Sequence, residues 1–288
     1  MRAQPPRLDA RLHIRTRNLT LQELEGAYRS RTRARSLEFD DLREYASGDD
    51  PRDIDWKATA RHGSTLVRRH EAHRLQTVTF VVTTGREMSA LSEDGDRKVD
   101  VAVDVVGVLG ALAARHQDRI SLVGGDSARL ERIADGTGER HVARLTRLLA
   151  SRVTAGAPAG DAARMMVGAR RSLRRGGIVV VVADECDTDE AFWTALRSLV
   201  ASRDVLWVTI ADADPFAPRP GTRVDVGTRR RLPRLAADRQ VAQEYREATQ
   251  TRRRDFERRL AALRIRQVRV GSRAQTLEQL QLLLRLPA

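Results

Sequence analysis

From about residue 78 onward, apolar and polar positions switch repeatedly between a period of two and a period near 3.6. Val78 to Val82 is a short β-branched run. Ile178 to Ala183 has no polar position at all, a composition suited to the interior of a sheet. Val99 to Arg115 carries Ala, Val and Leu on more than one side, as a largely buried helix would. Ile120 to Val123 and Arg129 to Ile133, joined across Gly124-Gly125-Asp126, read as a hairpin at a sheet margin. Helices are expected near residues 138–151, 160–174 and 188–202. Strands follow at Val205 to Ile210 and, beyond a Pro-rich loop from Asp212 to Gly221, briefly near Val224 to Val226. A long helix near residues 235–262, a strand at Ile265 to Val270 and a closing helix at Thr276 to Leu286 complete the series. This alternation predicts right-handed crossovers and an α/β fold with an open, mainly parallel sheet and helices on both faces.

The stretch before this regular part is built differently. Residues 1–18 mix Pro5-Pro6 with dispersed charge and read as a loose arm. A short helix is expected to start at Thr20, capped with Glu23 and stopped by Gly26, and a basic connector runs from Arg29 to Arg35. In residues 38–70, Phe39, Leu42 and Tyr45 recur every three positions, as in a tight helical turn, and Gly48-Asp49-Asp50-Pro51 then breaks the pattern. Ile54 and Trp56 alternate with Asp53, Asp55 and Lys57 as in a half-buried strand. His62-Gly63-Ser64 reads as a turn into Leu66-Val67-Arg68. Arg43, Glu44, Asp49, Asp50, Arg52, Asp53, Asp55, Lys57 and Arg61 supply opposite charges that could cross-link the segment through Arg–carboxylate forks, with Trp56 and Tyr45 as its anchors.

The string Glu38-Phe39-x-x-Leu42-Arg43-x-Tyr45-x-x-Gly48-Asp49-Asp50-x-Arg52-x-Ile54-Asp55-Trp56-Lys57-x-x-Ala60-Arg61, followed by Val67-Arg68, closely resembles the signature of the bacterial family called domain of unknown function 58. The resemblance implies a von Willebrand factor A-like domain carrying the motif as an N-terminal addition, and a MoxR-type AAA+ ATPase as partner. The expected organisation is an arm and short helix over residues 1–36, the signature motif over 37–75 packed on the main domain, and the von Willebrand factor A-like domain over 76–288.

At 288 residues the chain can bury one full α/β core plus an appendage. Its formal charge is +13, but the basic residues are Arg apart from Lys57 and Lys98, so basicity argues only weakly for nucleic acid. A single cysteine, Cys186, excludes an intramolecular disulfide and fits a reducing compartment. The N-terminus lacks the apolar core of a signal peptide. The longest apolar stretch, Val99 to Ala114, is interrupted by Asp100 and Asp104, so a cytoplasmic protein without a membrane span is expected.

In open α/β sheets ligands bind beyond the carboxyl ends of the strands, here the loops after Val82, near Gly160 and after Ala183. The resemblance implies Asp-x-Ser-x-Ser, a Thr and an Asp around a divalent cation in these loops. This chain instead reads Thr83-Thr84-Gly85-Arg86-Glu87, and only Asp184 keeps its place. The expected state is a degenerate site with no cofactor. The alternative is a rearranged oxygen cluster of Thr83, Glu87, Asp161 and Asp184 that holds Mg2+ or Ca2+. Cys186 has no His to activate it, and the spacing of His70 and His73 suits zinc but lacks a second pair. No P-loop, nucleophile elbow or dinucleotide fingerprint is present, so no catalytic residue is assigned. The function expected is a non-enzymatic adaptor that presents Arg43, Tyr45, Gly48, Asp49, Asp50, Arg52, Asp55, Trp56 and Arg61 to a MoxR-type ATPase in chaperone or complex-maturation work. A nucleic-acid-binding protein or hydrolase using Arg229-Arg230-Arg231 and Arg252-Arg253-Arg254 is one alternative; a metal-dependent adhesion module is the other.

Overall fold

The computed structural model of the chain describes residues 23–28, 42–46, 49–68, 76–173, 176–185, 188–217, 224–231 and 239–285. In chain order these hold helix α1 (residues 23–28), strand β1 (Leu42–Glu44), a 3-10 turn (Pro51–Asp53), α2 (Trp56–His62), β2 (Leu66–Arg68), β3 (Thr77–Thr83) and a second 3-10 turn (Arg86–Ser89). There follow α3 (Lys98–Arg115), β4 (Arg119–Gly125), β5 (Leu130–Gly136), α4 (Gly138–Arg152), α5 (Ala162–Ser172), β6 (Ile178–Asp184) and α6 (Glu190–Val200). The last elements are β7 (Asp204–Ile210), α7 (Arg239–Ala262), β8 (Arg266–Val270) and α8 (Thr276–Arg285).

Six strands form one sheet in the order β5-β4-β3-β6-β7-β8. All neighbours are parallel except β5, which returns antiparallel along β4 as the expected marginal hairpin. The chain starts in the middle of the sheet at β3, winds outward to β5, and then begins again at β6 on the other side of β3. Strand order therefore reverses between β3 and β6, which opens a crevice at their carboxyl ends.

Side-chain alternation divides the core into two layers. Val78, Phe80, Val82, Val180, Val182, Leu206 and Val208 enter the layer of α1, α3, α4 and α8, whereas Val81, Val179, Val181, Val205 and Trp207 enter that of α5, α6 and α7. Burial on both faces explains the unbroken apolar run of β6. The second layer is aromatic: Phe192, Trp193, Trp207 and Phe256 pack with ring centroids 5.1 to 6.4 Å apart, and the Arg259 guanidinium lies 5.2 Å above Trp193. A polar pair inside the sheet, the hydroxyls of Thr79 and Ser121, is satisfied at 2.9 Å.

Expected elements from β3 onward match within a few residues. The strand expected near Val224 to Val226 is instead one bridged pair, Val224 with Arg231, closing a tight turn in which Asp225 accepts from the Thr228 backbone and hydroxyl. No helix among the described residues is long and apolar enough to cross a membrane.

The α1 helix runs past the expected stop at Gly26 to residue 28, because Leu24 and Tyr28 are buried in the main core. Tyr28 donates from Oη to Asp118 Oδ2 at 2.6 Å and stacks on His116 with centroids 5.2 Å apart. Asp118 Oδ1 also accepts from the Gln76 backbone at 3.0 Å. Burial, reinforced by the neighbouring carboxylate, raises the Tyr28 hydroxyl far above its ordinary range, and burial also raises Asp118.

The signature stretch departs most from expectation. Instead of a helical turn through Leu42 and Tyr45, β1 pairs antiparallel with β2 in the register Leu42 to Arg68, Arg43 to Val67 and Glu44 to Leu66. Phe39 lies outside the described residues, as do Gly48, His70, His73, Thr20 and Cys186. Ile54 makes a single bridge to Val67, and the strand expected through Trp56 is a helix. The cause is capping: Asp55 Oδ1 accepts from the Lys57 and Ala58 backbones at 3.0 Å, and Gly63 ends α2 with φ of 77°. Asp49 and Asp50 likewise accept from backbone N–H groups, those of Ala46 and Arg52, each at 2.9 Å. Leu66 and Val67 are the buried anchors, whereas Tyr45 and Trp56, expected to anchor the segment, are 41% and 69% exposed.

Candidate functional site

Three elements bring charge to the crevice. The β6 strand stays apolar for six residues and then ends at Asp184, so its first carboxylate emerges at the carboxyl edge. The β7 strand delivers Asp212 two residues beyond its end, where an isolated bridge ties it to Ser92. Between β3 and α3 the chain folds back on itself through the Leu91 to Arg97 bridge, and the Lys98 backbone donates to the Ala90 carbonyl at 2.9 Å. This places Lys98, the first residue of α3, under the crevice.

The Lys98 ammonium is 2% exposed and donates to Asp184 Oδ2 at 3.0 Å and, through a shorter bond, to Asp212 Oδ1. Burial pulls its pKa down, but the two carboxylates outweigh burial and hold the ammonium above its ordinary range. Burial pushes Asp212 up to about 6 against the pull of Lys98, with Asp184 adding to the rise. Around this centre lies a rim of ion pairs. Arg269 reaches Glu185 at 2.9 Å and Glu93 at 2.5 Å, and Arg273 grips Asp104 through two bonds of 2.7 and 3.1 Å.

The four residues considered as a rearranged cation cluster have separate engagements. Glu87 Oε2 accepts from the Gly160 backbone at 2.8 Å, across an approach so close that a Cβ on Gly85 would lie 2.3 Å from Gly160 N. Asp161 caps α5 by accepting from the Arg164 backbone at 2.8 Å. Asp184 is held by Lys98. Thr83 ends β3 with a buried hydroxyl that has no hydrogen-bond partner. Among the described residues, no three Cys, His, Asp or Glu side chains converge as a metal would require. Arg86 lies beside Glu87, at 3.8 Å.

Signature residues gather on one small unit. Arg43 and Glu44 lie on β1, Asp50 and Arg52 at the 3-10 turn, and Asp55, Trp56 and Arg61 at or in α2, with Arg52, Trp56 and Arg61 exposed. The other basic clusters are dispersed. Arg229 donates to the Ala155 carbonyl at 3.3 Å, and Arg253 pairs with Glu257 at 3.8 Å along α7.

Lys98 and Asp212 were not singled out from the sequence, since their partnership spans 114 residues. One signal was present: Lys98 is one of two lysines among 52 basic residues. A lysine ammonium is a compact point charge with three donors, and here a single nitrogen bonds both carboxylates.

Comparison with known proteins bears on about three quarters of the chain. Uncharacterized proteins of Mycobacterium tuberculosis and Mycobacterium bovis are 29% identical to it over 231 residues, covering 77% of this chain and 69% of theirs. Among solved structures, an aerotolerance-related membrane protein from Bacteroides fragilis is similar with a TM-score of 0.48 at 12% identity, over 73% of this chain and 98% of its own. A von Willebrand factor type A structure from Catenulispora acidiphila gives a TM-score of 0.42 at 13% identity, over 73% of this chain and 42% of that one. A family model described as protein of unknown function DUF58 matches residues 41–266, from the start of the signature hairpin to the last strand, and the chain belongs to that family.

Proposed function

We propose that this protein is a non-enzymatic interaction module whose β1–α2–β2 unit docks a MoxR-type AAA+ ATPase in chaperone or complex-maturation work. The observation that carries the reading is Trp56, which is 69% exposed at the start of a helix capped at both ends. A large indole held rigidly in water, with exposed Arg52 and Arg61 on the same unit, has the composition of an interface hot spot. The choice of partner follows from the resemblance of the signature to its family. The crevice supports the same reading, because its central carboxylates are engaged by the chain's own ammonium.

The test is capture of the purified MoxR-type ATPase by wild-type protein and by an Arg52→Ala, Trp56→Ala double variant whose fold is checked by circular dichroism. Loss of a central Trp and Arg should weaken binding at least roughly tenfold. Undiminished capture by the folded variant would refute the docking role.

A further inference from the structure

A cavity of about 260 Å3 opens between the β4–β5 hairpin, the end of α4 and the loop that follows it, on the far side of β3 from β6. Its floor is Leu122, Leu148 and Leu149. Alternation along β4 and the residue after it turns Gly124 and Asp126 to the same face as Leu122. The bare Gly124 keeps the space open, since a Cβ there would already lie 3.3 Å from Thr84 Cγ2. Backbone bonds fix the outer wall: the Ser127 N–H donates to the Ala159 carbonyl at 2.8 Å and the Arg86 N–H to the Pro158 carbonyl at 2.9 Å. Glu131 and Arg152 at the rim neutralise each other at 2.8 Å.

Two charged groups of this cavity are left unanswered. Asp126 is 7% exposed; its Oδ1 accepts from the Ala128 and Arg129 backbones at 2.8 and 2.9 Å, while Oδ2 has no hydrogen-bond partner among the described residues. The Asp126 N–H donates to the Arg129 carbonyl at 2.9 Å and closes the turn, so the two side chains leave opposite positions of the hairpin on one face. The Arg129 guanidinium, exposed at the rim, has no ion-pair or hydrogen-bond partner among the described residues. Sites for drug-sized ligands run from roughly 300 to 1,000 Å3, so this smaller space suits a molecule the size of one amino acid.

We propose that this cavity binds a free α-amino acid with an apolar side chain. The ligand's ammonium donates to Asp126 Oδ2, Arg129 holds its carboxylate, and its side chain lies on Leu122, Leu148 and Leu149. A ligand with a single charge would leave either the carboxylate or the guanidinium without its counterpart, which is the reason for a zwitterion rather than a simple amine or a short fatty acid. Neither the signature unit nor the Lys98 centre contributes to this site, so the outcome of its test bears on neither.

The experiment titrates the isotope-labelled full chain with L-leucine, with isopentylamine and with isocaproate, and follows the backbone amide resonances. L-leucine should give saturable shifts at Gly124, Asp126, Arg129 and Gly156 with a Kd in the millimolar range or below, and each single-charge analogue should bind at least roughly tenfold more weakly. Asp126→Asn keeps an oxygen to cap the turn and Arg129→Gln alters an exposed side chain, so both variants should fold, and each should weaken L-leucine binding at least roughly tenfold. The absence of saturable shifts at these amides would overturn the proposal, as would an analogue that binds as tightly as L-leucine or undiminished binding by either variant.

Discussion

Replacing Tyr28 by Phe removes one oxygen and leaves the ring in place, so it isolates the buried hydrogen bond among the contacts that fasten α1 to the main body, which include ion pairs of Glu23 with Arg285 and Glu25 with Arg115. The hydroxyl donates to Asp118 at 2.6 Å, and both residues are buried, Tyr28 at 3% and Asp118 at 4% exposure. A hydrogen bond to a charged group is worth about 1.5 to 3 kcal/mol, and the loss lies toward the upper end when the abandoned acceptor stays dry. Asp118 keeps the Gln76 N–H on its other oxygen, and a phenyl ring preserves the stack on His116, which together hold the expected loss near 2 kcal/mol. Urea denaturation followed by circular dichroism measures it, with wild type and variant sharing one m-value. Truncation to Ala adds the core contribution of a fully buried ring, about 3 kcal/mol or more in total. A Tyr28→Phe loss below about 0.5 kcal/mol would refute a stabilising role for this hydrogen bond.

Two further outcomes follow from geometry and charge. Gly177 has φ of 81°, and a Cβ there would sit 2.5 Å from the Thr77 carbonyl oxygen. Gly176, with φ of 83°, meets nothing within 4 Å. Gly177→Ala should therefore cost about 2 kcal/mol or more and Gly176→Ala about half of that, by thermal denaturation; equal losses would refute the close approach. The Asp212 carboxyl is raised by burial from 3.8 to about 6, so the folded state keeps a proton that the unfolded chain has released across that interval. Its contribution to stability consequently falls as pH rises from about 4 to about 6 and is level above. Asp212→Asn should flatten that decline in a pH series of urea midpoints, and an unchanged slope would refute it.

The regular part of the chain was legible because its two periods are enforced by burial. Val179 and Val180 face different helical layers, and burial on both sides favours an apolar residue at each position. The signature unit was misread for a local reason. The three-residue spacing of Phe39, Leu42 and Tyr45 mimics a helical turn, but Leu42 to Glu44 are claimed by pairing with β2, a partner more than twenty residues away. The α2 helix did leave a mark, since Asp55 and Gly63 are an N-cap residue and a left-handed stop framing the seven residues between them. Of the candidate site, Asp184 was found by its place after an apolar strand. Its partners Lys98 and Asp212 lie 86 residues before it and 28 after it, where periodicity is silent about contact.

The ion pairs along the crevice rim join parts of the chain that are synthesised far apart: Arg273 to Asp104 spans 169 residues and Arg269 to Glu93 spans 176. Loops of that length close last, after the sheet they clamp already exists. Bonds made so late bear on the rate of unfolding more than on the rate of folding, so whatever stability the rim adds is felt as slower unfolding.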